Sequence, residues 1–332
     1  MKRMKHIGFT LLLIAFLFSA ENLQAQDASF SQFSKIEHWY NPARAGVMQD
    51  DVKAAILYRR QWSSGLQGYR TNGANVEWNA RKVPFALGLV VVDDKAGQAQ
   101  LKTFNAALSA AYHQRLTQKS LLSAGLQIGF VQRKIDLTGL TWDEQFNGYQ
   151  FDPSLDSKER QFSNSTGNRI DLGAGVYFID EKPFAFGGGY AFHHLGQDMT
   201  FLQNGKDRLN IRQVITGFIE KDFRKYGGRL DVLITRQRGA MEYVVMARNE
   251  YRFGDDSRYT TENNSSAVFA GCGLRWNSAV IPMVGFEWER RFEIAITYDI
   301  VYSRLAKATT FSGGPEISMT YRYRNDKRIR IH

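Results

Sequence analysis

Apolar and polar positions alternate one by one along most of this chain. Leu122, Ala124, Leu126, Ile128 and Phe130 share one face of a stretch whose other face is Ser123, Gly125, Gln127 and Gly129. The same beat runs through Phe104, Ala106, Leu108, Ala110 and Tyr112, through Val76, Trp78 and Ala80, and through Ile170, Leu172, Ala174, Val176 and Phe178. Phe292, Ile294, Ile296, Tyr298, Ile300 and Tyr302 repeat it near the C-terminus. A period of two marks a strand whose faces meet different surroundings. The pattern predicts strands near 52–63, 69–82, 84–93, 101–115, 120–134, 168–180, 184–194, 210–222, 228–237, 240–253, 267–277, 280–289, 291–303 and 315–324. Many run to ten residues or more, against about 5–6 for globular strands, and are long enough to cross a bilayer at a tilt of about 45°. One face carries Glu, Asp, Arg, Asn and Gly. The other carries aromatic residues near its ends: Tyr58, Trp62, Trp78, Tyr112, Phe130, Phe184, Phe192, Trp276, Trp288, Tyr302, Tyr321 and Tyr323. Polar lumen, apolar band and aromatic girdles favour an outer-membrane barrel over a soluble sandwich. The fold expected is all-β, a transmembrane up-and-down antiparallel β-barrel of about 14 strands over 51–324. The register of 210–222 stays open, because Ile211, Ile215 and Ile219 compete with Val214 and Phe218 for the outer face.

With the N-terminus in the periplasm, odd strands run outward. Short turns at 82–84, 116–119, 180–183 and 224–228 then fall inside, and longer loops at 135–167 and 195–209 outside. The connection 254–266 is long and polar yet counts as periplasmic. Either it is a true extension or the count slips by one hairpin.

One stretch breaks the rhythm. In "FSQFSKIEHWYNPARAG", Phe30 to Gly46, the apolar residues Phe30, Phe33, Ile36 and Trp39 recur every third position, and Asn41-Pro42 stops the pattern. The expectation is a short plug-like periplasmic segment over 26–50, helical or irregular, at the periplasmic mouth of the barrel. There it would pack those four side chains on the wall, either as a hydrophobic plug or as a docking surface. The candidate partner contacts are Phe30, Gln32, Phe33, Trp39, Asn41, Pro42 and Gly46.

Composition narrows the class. The chain has 332 residues, with 43 Lys+Arg against 33 Asp+Glu and a single cysteine, so an internal disulfide and a cysteine-based metal site are excluded. Lys2, Arg3 and Lys5 precede an apolar run from Ile7 to Phe18, and Ala25 offers a small residue for cleavage, so 1–25 reads as a signal peptide. No apolar stretch of eighteen residues follows it. Export sets nucleic acid aside as a partner.

The chemistry of catalysis is missing. There is no H-E-x-x-H, G-x-S-x-G or phosphate-binding glycine loop, so no enzyme, cofactor or metal is expected. His193-His194 would point to opposite faces of a strand, one imidazole lumenal and one interfacial. Cys272 shares the apolar face with Val268, Ala270, Leu274 and Trp276. The inner faces carry Arg59, Glu77, Arg81, Arg133, Asp171, Asp231, Arg275, Glu287, Glu293, Asp299, Glu316 and Arg322. Both signs are present, which favours mutual pairing in a narrow lumen over an ion-selective pore. The tail 325–332 is basic, either a solvated end or a contact for acidic periplasmic surfaces.

These residues also carry a family resemblance. "QDASFSQFSKIEHWYNPARAG" resembles the start of mature PorP/SprF-type proteins, Q-D-P-x-F-S-Q-Y, a spacer, then N-P-A-x-A-G. "YRRQWSSGLQG" from Tyr58, "GLRWNSAVIPMVGFEWERRFEIAITYDIVYSRL" from Gly273 and "SGGPEISMTYRY" from Ser312 are similar to three further family segments, in order. Ala28, Phe33, Ser278 and Pro315 depart from the pattern. The resemblance implies an outer-membrane barrel, in a Gram-negative bacterium, of the type IX secretion system, which also drives gliding in some species. It implies three partners: outer-membrane lipid, periplasmic ring proteins of the secretion motor, and a secreted surface adhesin with a C-terminal sorting domain. The expected role is a non-catalytic platform; the alternative is a diffusion porin or solute channel.

Overall fold

The computed structural model describes residues 27–48, 50–61, 68–80, 83–97, 101–135, 143–152, 154–155, 166–181, 184–195, 210–223, 225–254, 265–303 and 312–324. Fourteen strands form one closed barrel. They are β1 (Val52–Gln61), β2 (Tyr69–Asn79), β3 (Phe85–Ala96), β4 (Leu101–Arg115), β5 (Ser120–Lys134), β6 (Thr166–Asp180) and β7 (Ala185–His193), followed by β8 (Arg212–Asp222), β9 (Tyr226–Gln237), β10 (Ala240–Phe253), β11 (Ser266–Arg275), β12 (Ala279–Trp288), β13 (Phe292–Val301) and β14 (Ser312–Tyr323). Each pairs antiparallel with its sequence neighbour, and β1 closes the ring on β14 from Val52↔Tyr323 to Arg59↔Glu316. Closure leaves no strand edge unpaired, as a bilayer demands. No helix among the described residues is long and apolar enough to cross a membrane.

The end where β1 begins and β14 finishes is the entry end; the opposite end, which carries the 135–165 and 194–211 connections, is the loop end. The count does not slip at 254–266. β10 ends at Phe253 and β11 starts at Ser266, so this connection lies at the entry end; 255–264 fall outside the described residues. So do 1–26, 325–332, Trp62 and Arg81.

The barrel is inverted relative to a water-soluble protein. Leu126 is 69% exposed and Trp288 58% exposed on the outside, while Glu316 is fully buried within. A continuous apolar exterior of this size suits lipid, not water. The aromatic girdle residues all lie on this exterior, Trp62 aside. In β8, Ile215 and Ile219 face out and Val214 and Phe218 face in. The inward ring of Phe218 is needed there, because Arg44 and Arg229 stack over it at 5.6 and 4.4 Å.

The N-terminal segment corrects the expectation of a plug at the mouth: it runs through the lumen. Asp27 lies by the loop end beside His194 and Arg212. The chain then descends through a 3-10 turn (Phe33–Lys35), one α-helical turn (Glu37–Tyr40) and a second 3-10 turn (Pro42–Arg44). It leaves near Trp78 and Ala86 at the entry end and joins β1. Phe30, Ile36 and Tyr40 are completely buried. Burying each such side chain contributes about 1.5–3 kcal/mol relative to leaving it in a wet lumen.

Candidate functional site

The lumen filled by residues 27–46 is the candidate site. Its first part is held by charge. The backbone N–H groups of Ser31 and Gln32 both donate to the Glu316 carboxylate, at 2.7 and 2.8 Å. The Ser31 hydroxyl donates to Asp299 at 2.7 Å, and Arg275 donates to that hydroxyl at 2.9 Å. Arg59 joins the cluster through Asp299 (2.6 Å) and the Ser29 carbonyl. Ser318 donates to the Gln32 side chain at 2.6 Å. Below, Lys35 pairs with Glu293, which also accepts from Arg322 at 2.6 Å; Arg322 in turn reaches Glu287 at 2.8 Å. Buried charges are tolerable only when paired and hydrogen-bonded, and here the segment supplies what the wall lacks.

The last part is held by shape. Asn41 caps the second 3-10 turn: its side-chain oxygen accepts from Ala43 N–H at 3.0 Å, and Pro42 occupies the first turn position. The amide of Asn41 donates to the Val176 carbonyl of β6 at 3.1 Å. The turn presses on strand backbone. A Cβ at Gly125 would collide with the Ala43 backbone, and one at Gly175 with the Asn41 side chain. Gly46 then takes φ +65°, the left-handed region, as the chain turns out of the lumen, and its N–H donates to Glu77 at 3.0 Å. The Asn-Pro-Ala-x-Ala-Gly string is thus a cap, a preset turn residue, two small residues for a tight fit and a left-handed exit.

Between these parts, Glu37 accepts from Arg44 (3.0 Å) and Arg229 (3.2 Å), and Arg44 lies over the Tyr177 ring at 4.5 Å. His193 meets the Tyr40 carbonyl at 2.9 Å, and Arg212 lies over the Tyr40 ring at 5.1 Å. At the loop end, His194 is 2.5 Å from Asp27 and 3.1 Å from Asp171. Burial disfavours the charged imidazole of His194, but the two carboxylates outweigh it and hold its pKa up at about 9. Burial likewise works against the Asp27 carboxylate, and His194, followed by Arg212, outweighs it and holds this pKa below the usual range.

The sequence candidates fall as follows. Phe30, Gln32, Phe33, Trp39, Asn41, Pro42 and Gly46 are all buried inside the barrel. Their neighbours are the wall and the segment itself. Among the lumenal charges, Arg59, Glu77, Asp171, Arg275, Glu287, Glu293, Asp299 and Arg322 all make ion pairs. Arg133 is half-buried in β5. His193 and His194 do not divide between lumen and interface: both are buried within, because His194 takes φ 64° and leaves the strand alternation. Reading faces missed Asp27, Lys35, Glu37 and Arg44. Their signal was available as four formally charged residues in a segment otherwise suited to burial. Among the described residues no group of side chains could hold a metal ion.

The model of the type IX secretion system membrane protein PorP/SprF matches residues 22–321, the plug and nearly all of the barrel together. The chain belongs to the PorP/SprF family. No curated protein matches this PorP/SprF chain in sequence. Among solved structures it is similar to the Pseudomonas putida toluene transporter TodX (9% identity, TM-score 0.43, covering 89% of this chain and 94% of that one). It is also similar to a Pseudomonas aeruginosa FadL homologue (9%, 0.42, 85% and 93%) and to Acinetobacter baumannii Omp33 (8%, 0.39, 82% and 98%). The likeness is of fold alone. By its family and its closed ring of strands, this PorP/SprF protein is a type IX secretion membrane barrel with its own N-terminal chain lodged in the lumen.

Proposed function

We propose that this barrel is a closed, non-catalytic platform in the outer membrane. Its entry end faces the periplasm and docks the ring proteins of the secretion motor, and its loop end meets an exported surface adhesin. One observation carries the reading: the lumen is occupied along its length by a segment tied to the wall by buried ion pairs and backbone contacts. A solute channel needs a path that this segment fills. In this reading Phe30, Gln32, Phe33, Trp39, Asn41, Pro42 and Gly46 serve as contacts to the wall that keep the barrel closed.

Planar-bilayer conductance tests the closed platform. The intact chain is expected to give no steady current, and a chain lacking residues 27–46 a steady one. A steady open pore from the intact chain would overturn the platform and restore the porin. Co-purification from native membranes tests docking: ring proteins are expected in the eluate, and a chain that emerges alone in mild detergent would refute that part.

A further inference from the structure

The outside of the barrel carries a charge pattern unrelated to the plug. At the loop end, Arg60 of β1 lies directly across from Arg70 of β2, and Arg70 from Lys95 of β3. Lys95 lies across from Lys102 of β4, and Lys102 from Lys134 of β5. Directly opposed residues share a face, so five cations stand in one row on the outward face of five adjacent strands. Arg60, Arg70 and Lys134 are exposed, and Lys95 and Lys102 half-exposed. Among the described residues none of the five is ion-paired to a carboxylate. The nearest outward-facing acid in these strands is Asp93, two positions before Lys95, and it accepts from Asn72 at 3.4 Å.

Like charges placed directly opposite each other destabilise a sheet, so folding alone gives no reason for this row. Its height does. Four residues earlier in β1, toward the entry end, lies Ile56, in a row with Ala74, Val91, Ala106 and Phe130 that begins the apolar band. The cations therefore stand where the band gives way to headgroups. The rest of this rim differs: Arg236 of β9 stands between Gln213 and Met241, and Lys134 faces Thr166 on β6. Five strands at a spacing of about 4.8 Å make the row about 19 Å wide, wider than one phosphodiester. Lys and Arg rows at a membrane surface bind anionic headgroups, and arginine adds two-pronged contacts to phosphate oxygens.

We propose that this row binds the multiply phosphorylated headgroup of an outer-leaflet glycolipid. The leaflet rests on the orientation proposed above, whereas binding in nanodiscs is read without regard to orientation, so the two fail separately. The full chain is placed in phosphatidylcholine nanodiscs that also contain bisphosphorylated lipid A, dephosphorylated lipid A or phosphatidylglycerol, and its thermal midpoint is measured. A rise of several degrees is expected with bisphosphorylated lipid A alone. The K95Q/K102Q/K134Q variant should lose that rise, and R115Q/K119Q, at the entry end, should keep it. In pure phosphatidylcholine the triple variant should melt no lower than the native chain, because substitution relieves repulsion. That separates lost binding from damaged folding. An equal rise with dephosphorylated lipid A or phosphatidylglycerol, or a rise that survives the triple substitution, would overturn the proposal.

Discussion

The two sides of the lumen grip the same segment by opposite means. On β11–β14 and β1, long charged side chains reach inward, and Arg59, Arg275, Glu293, Asp299 and Glu316 clasp Ser29 to Lys35. On β5–β6 the wall has no side chain at Gly125 and Gly175, and Asn41 to Ala43 sit against bare backbone. The charged side fixes register, since each carboxylate has a designated partner. The bare side fixes distance, since a single methyl group there would already collide with the segment. A segment held in both ways is located along the barrel axis and across it. Neither means suffices alone, because a charged clasp without a tight fit admits water, and a tight fit without charge leaves buried ions unpaired.

The strongest blow to the charged side is Arg59→Ala. It leaves Asp299 and Glu316 with a buried cation fewer, and removing one partner of a buried pair costs about 3–5 kcal/mol. Urea unfolding in detergent should show that loss, and a change under 1 kcal/mol would mean that the clasp adds little. The matching blow to the bare side is Gly125→Val. Overpacking of about 1–3 kcal/mol is expected, with a steady current in bilayers as the Asn41–Ala43 turn is pushed off β5. A silent Gly125→Val would leave the charged side as the sole anchor. Asn41→Ala removes the cap and the bond to Val176, and should cost about 1 kcal/mol. It sharpens the comparison by showing whether the turn is held by its cap or by the wall.

The smallest effect is set by pH at the loop end. His194 has a raised pKa, so its contribution is complete below the ordinary imidazole value and fades as pH rises through about 9. Asp27 has a lowered one, so its contribution holds above the ordinary carboxylate value and fades as pH falls below it. The Asp27–His194 tie should therefore hold from well below the ordinary carboxylate value up to about pH 9. Hydrogen exchange at Phe30 and Ser31, corrected for intrinsic rates, should accelerate between pH 8 and pH 10 by less than tenfold. His194→Gln should abolish the acceleration, and an unchanged rise in that variant would remove the tie from the account.

The barrel was legible because its evidence is local. Strict alternation in Leu122–Phe130 or Phe292–Tyr302 reveals which residues face out, and fourteen such runs add up to a closed ring. Inward charges such as Arg59 and Glu293 followed from the same rule. What paired with them did not, because Lys35 and Ser31 lie more than 250 residues away in sequence from Glu293 and Asp299. The depth of the segment was hidden too, since an apolar residue every third position suits a mouth as well as a lumen. His194 was misplaced because alternation assumes extended backbone, and its positive φ suspends the rule. The row from Arg60 to Lys134 is scattered over five strands, and only their register aligns it.

The closing strand gives the Glu316 contact a further meaning. Glu316 stands on β14, the last strand made, yet it accepts the N–H groups of Ser31 and Gln32, 285 and 284 residues earlier in the chain. The same residue lies across from Arg59 on β1, at the seam that completes the ring. An early segment of the chain is therefore secured inside by the strand that seals the ring. Threading afterwards would drag Phe30, Trp39 and Tyr40 through a finished ring. The geometry favours a wall closed around the segment, so that sealing the seam and filling the interior are one event.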